Sequence, residues 1–132
     1  MSLTVPEEVQ ARITTEQVDD ETFWSVVRDS LPFAVEMIER AVASLEAGKS
    51  VQEGVLIYSA QPPGEDERAQ LLRLLASSSM RQAAESRFGI KLGFVNCHYL
   101  AVKQGSADNP RWRQVTSPTF QLRMQRPDLV DC

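Results

Sequence analysis

The sequence predicts an α+β domain. N-terminal helices and a long middle helix pack on one side of a small, mainly antiparallel sheet of about three strands, in the order ααβαββ. Three observations predict it. Apolar residues recur at steps of three and four across residues 20–47 and again across 65–88, the spacing that lines one face of a helix. The run VLIYSA at 55–60 is cut off by Gln61-Pro62-Pro63-Gly64, as a buried strand followed by a forced turn would be. After Gly89 the apolar period changes to two, the alternation of a strand.

The elements follow in order. VPEEVQARI reads as a short helix with Pro6 at its first turn. Between residues 20 and 47, Phe23, Trp24, Val26 and Val27 open a helical stripe that Leu31, Val35, Ile38, Val42 and Leu45 continue. Pro32 lacks the amide donor and clashes with the preceding turn, so the helix breaks near Asp29 and Ser30. Ser30 is the expected cap of a second helix, which runs to Gly48. Asp19 and Asp20 put negative charge at the positive end of the first of these helices. A middle helix then runs from Glu65 to Phe88 and stops at Gly89, with Ser77-Ser78-Ser79 as its weak spot.

The next segment, 90–102, reads as one strand, residues 104–111 as a loop, and 112–125 as a final strand. Pro118 inside that last run marks an edge or a late start. Pairing Val102 with Trp112 in an antiparallel hairpin sets Phe94 against Phe120, Leu92 against Leu122 and Ile90 against Met124, apolar against apolar. The same register gathers Asn96, His98, Gln114 and Thr116 beside Trp112 as a candidate ligand-binding cluster. A one-residue slip destroys it. The simpler reading of His98 is an imidazole satisfied by Asn96 and Thr116; the sharper one is a donor or general base in a pocket.

Composition bounds the rest. With 132 residues, 42% hydrophobic and 24% charged, the chain is expected to form one soluble domain over 1–132, with 1–18 and 127–132 flexible. The acidic N-terminus lacks the order of a signal peptide and no apolar run is long enough to span a bilayer, so the expected location is cytoplasmic. Cys97 is expected as a buried free thiol and Cys132 as part of a loose tail. Two cysteines and one histidine without close spacing exclude a structural zinc site; no metal or cofactor is expected. Gly48-Lys49-Ser50 ends like a phosphate-binding loop, but Ala43 stands where that pattern needs glycine, so it reads as a helix terminus.

Charge is unevenly distributed. Residues 1–67 carry fourteen acidic and four basic side chains, and residues 68–132 four acidic and ten basic ones. Either the halves neutralise each other on packing, or the basic half meets an anionic partner, or the two meet head to tail between subunits. Arg111, Arg113 and Arg123 are the candidate anion-binding residues. The net charge of −4 disfavours nucleic acid. No nucleophile, base and orienting acid stand at recognisable spacing. The expectation is therefore a small non-enzymatic adaptor, assembly or regulatory protein with a protein partner, including a homodimer. The alternatives are a small-molecule binder or enzyme around His98, and anion or nucleic-acid binding by the basic half.

Overall fold

A computed structural model describes residues 2–128. Helices α1 (Glu7–Ile13), α2 (Asp20–Ser30) and α3 (Pro32–Glu46) precede strand β1 (Val55–Ser59). Helices α4 (Glu65–Ala76) and α5 (Ser78–Phe88) lead into β2 (Ile90–Asn96) and β3 (Tyr99–Gln104), and α6 (Pro110–Val115) and α7 (Pro118–Arg123) close the chain. The sheet order is β1-β3-β2, antiparallel throughout. The α+β class and the packing of the N-terminal and middle helices on one sheet face are as the sequence predicts.

Each helix end has a chemical cause. Asp19 caps α2, accepting from the Thr22 amide at 2.7 Å and its hydroxyl at 3.0 Å. These bonds, with a smaller contribution from Arg12, hold the Asp19 carboxyl below its usual range. Pro32 breaks the chain between α2 and α3 as expected, but Ser30 is not the cap. It closes α2 and accepts from the Thr4 amide at 2.8 Å. The cap of α3 comes from 37 residues away, where Gln70 Oε1 on α4 accepts from the Phe33 and Ala34 amides at 2.7 and 3.3 Å. Only the packing of α3 on α4 supplies it.

The middle helix is two helices. Ser77 leaves helical geometry and its hydroxyl accepts from the Met80 amide, so the serine run becomes a cap for α5. Arg81 Nη1 reaches back to the Leu75 carbonyl at 3.1 Å and satisfies the end of α4. Gly89 ends α5 in the left-handed region, φ 64°, where glycine carries no Cβ penalty.

The expected hairpin of 90–102 with 112–125 does not form. Residues 90–104 fold on themselves instead, with Leu92 opposite Val102 and Phe94 opposite Leu100. Asn96 Oδ1 accepts from the His98 and Tyr99 amides at 2.8 and 3.1 Å and turns the chain at once. Residues 112–125 are not a strand. Asn109 and Ser117 cap α6 and α7 through the Trp112 and Phe120 amides, and Pro110 and Pro118 sit in their first turns. Proline with a preceding cap residue there starts a helix, and the two-residue alternation is overridden.

The sheet thus has two different faces. Leu56, Ile90, Leu92, Leu100 and Val102 meet α2–α5 in a large core that includes the fully buried Leu31, Ile38 and Leu74. On the other face Val55, Val95, Ala101 and Val115 form a small core, flanked by Tyr99, Trp112 and Phe120. Gly93 admits the indole, since a Cβ there would stand 3.2 Å from the Trp112 ring.

Candidate functional site in the groove between α2 and α5

The hairpin register predicted to gather Asn96, Gln114, Thr116 and Trp112 around His98 does not form. Asn96 is spent on its turn and donates Nδ2 to the Met124 carbonyl at 3.3 Å. Thr116 donates to the Trp112 carbonyl of its own helix, Gln114 is exposed on α6, and the Trp112 ring lies against Gly93. Asn96 meets His98 only through the backbone amide of the turn, and Asp128, whose pKa is lowered first by a hydrogen bond from Arg126, receives a smaller contribution from His98. The register that would have built the cluster is absent because its second strand is two helices.

The arginines part as well. Arg113 pairs with Asp108, whose carboxyl that bond holds low. Arg111 lies 6.0 Å over the Phe120 ring, and Arg123 is exposed at the end of α7. Cys97 is a correction too. It is 2% exposed but disulfide-bonded rather than a free thiol; Cys132, like all of 129–132, lies outside the described residues.

Sequence reasoning missed Lys103, which is 4% exposed in β3. Its Nζ donates to the Gly105 and Ala107 carbonyls at 3.0 and 2.8 Å and sits 5.9 Å from the Trp112 ring. A lysine inside the apolar strand YLAVKQ was the available signal. Both loop carbonyls face inward, so the ammonium fastens the 105–109 loop beneath the sheet.

A groove of about 860 Å³ opens between α2 and α5. Trp24, 4% exposed, packs edge-to-face on Phe88 at 5.9 Å, and with the half-buried Phe23 these rings form its floor. Arg87 lies 5.7 Å over the Trp24 ring and donates to Glu21 at 2.8 Å. That ion pair is solvent-exposed and adds little stability, but it fixes the rim. Asp20, Gln82 and Ser86 complete a polar border. The lining holds no histidine or cysteine. An aromatic floor with a charged rim suits an apolar anchor carried on a polar segment. The signal was the adjacent Phe23-Trp24 pair, two large rings that a single helical stripe cannot cover alone.

Away from the groove, Phe94 is 45% exposed on the edge strand β2. Elsewhere that edge is covered: Glu85 accepts from the Leu92 amide at 2.9 Å and Gln121 donates to the Val95 carbonyl at 2.8 Å, which blunts strand-to-strand pairing.

The fold is that of a small α+β domain, with no group of acids, histidines and cysteines fit for a metal ion among the described residues. Over residues 1–132 the chain matches the model of the KH_NucS_shadow family, described as NucS shadow ORF, and it belongs to that family. No curated protein and no solved structure matches it. Among the described residues no helix is long and apolar enough to cross a membrane.

Proposed function

We propose that the chain is a non-enzymatic binding module that works through protein contacts at the α2–α5 groove, in an assembly or regulatory role. The observation that carries this is the aromatic floor of Phe23, Trp24 and Phe88 under a polar rim. Buried aromatics ringed by polar groups are the usual anchor points of protein interfaces. Affinity capture from the native host tests it with the wild type and Gln82→Trp, which fills the groove from an exposed position. Partners held by the wild type are lost with Gln82→Trp; equal retention by both contradicts the reading.

Nucleic acid is the second reading, favoured by the letters KH in the family's name. KH modules clamp a nucleic-acid backbone with a Gly-x-x-Gly loop. The six glycines of this chain are never spaced three apart, and the Ser77 hydroxyl at the α4–α5 turn is occupied by its own helix. What supports this reading is Phe94. An exposed ring on the edge strand β2 offers a stacking platform. Single-strand binding that falls steeply with salt and is lost in Phe94→Ala supports it; salt-insensitive or absent binding removes it. The Cys97 disulfide weighs against the cytoplasmic setting expected from the sequence, since reducing compartments disfavour such bonds.

A further inference from the structure

An exposed apolar side chain lies on the opposite side of the chain from the groove. Leu122 on α7 is 74% exposed, the most exposed large apolar side chain among the described residues. It is followed by the exposed Arg123 and preceded by Gln121. The groove offers the complement: aromatic rings below, with Asp20 on the rim beside a Glu21 already paired with Arg87. The α2 side of the groove belongs to the acidic half of the sequence, residues 1–67, and α7 to the basic half, 68–132. The same molecule cannot bring the two together. α7 is held behind the sheet by Gln121 to the Val95 carbonyl and by Asn96 to the Met124 carbonyl, whereas the groove opens among the helices of the other face.

Resting on the proposed role of the groove, we infer that its occupant is the α7 helix of a second copy, with Leu122 seated on the Trp24–Phe88 floor and Arg123 beside Asp20. The contact joins two different surfaces, so each copy has one donor end and one acceptor end. Such heterologous pairing extends head to tail or closes into a ring. One short helix buries little area, so the association is weak, visible at on the order of 100 μM chain.

Sedimentation velocity tests it with three full-length proteins. The wild type grows in mean mass with concentration, and less so at high salt. Leu122→Asp removes the anchor and Gln82→Trp blocks the groove; both positions are exposed, and each variant alone weakens association at least about tenfold. Their mixture forms a one-to-one dimer and nothing larger, because one supplies an intact α7 and the other an intact groove. A monomeric wild type, growth unchanged by Leu122→Asp, or a mixture that stays monomeric overturns the inference. The groove itself is judged separately: host partners lost with Gln82→Trp beside a monomeric chain mean a foreign occupant, and partners unaffected by it mean the groove is not the contact.

Discussion

The two faces of the sheet are built on different principles. Toward α2–α5, long amphipathic helices bury a continuous apolar core with no buried charge in it among the described residues. Toward α6 and α7, two six-residue helices cover a small core, and a buried ammonium at Lys103 holds the adjoining loop by two backbone carbonyls. The first face is stabilised mainly by area removed from water. The second relies on a few directional contacts, each of which matters singly.

Substitutions sharpen the contrast. The largest effect is expected on the helical face, where Leu74→Ala opens a cavity at a fully buried site and costs about 3 kcal/mol in a urea titration. Lys103→Ala comes next, at about 2 kcal/mol, because it leaves the Gly105 and Ala107 carbonyls to find water. If Lys103→Ala proves as stable as the wild type, the loop does not depend on the ammonium and the contrast weakens.

Smaller effects test the same division. Gly93→Ala pushes a methyl toward the Trp112 ring and costs about 1 kcal/mol; paired with Trp112→Ala, the added cost should vanish, and full additivity would show that the close approach is unimportant. Smallest of all is an acid-limb effect at the start of α2. The Asp19 pKa is lowered in the fold by the Thr22 bonds, so its contribution is present above the ordinary carboxylate value and lost as pH falls through the folded value. Asp19→Asn keeps a cap and flattens that part of the stability–pH curve; an unchanged acid limb would assign it to other carboxylates.

The same division explains what the sequence reveals. The helical face is legible because its signals are local and repeated: the stripe from Leu31 to Leu45, the break at Pro32, the stop at Gly89. The other face is misread because residues 112–125 alternate like a strand, while the deciding features are single residues, Asn109 and Ser117 as caps before prolines. Asn96 escapes notice for a similar reason. Its side chain turns the hairpin at Cys97 and His98, so a segment with the pattern of one long strand is two short ones. The Gln70 cap of α3 and the pairing of Trp24 with Phe88 join distant parts of the chain, and no local pattern encodes them. The groove floor was therefore visible as apolar residues but not as a site.

The most direct test of the groove as a protein-contact surface is a photo-crosslinking residue placed at 82, compared with one at 94, in the full chain within its native host. Mass spectrometry of the adducts should find peptide joined to peptide at position 82. Nucleotide adducts at 94, with none of peptide at 82, would contradict the account and transfer the function to the edge strand.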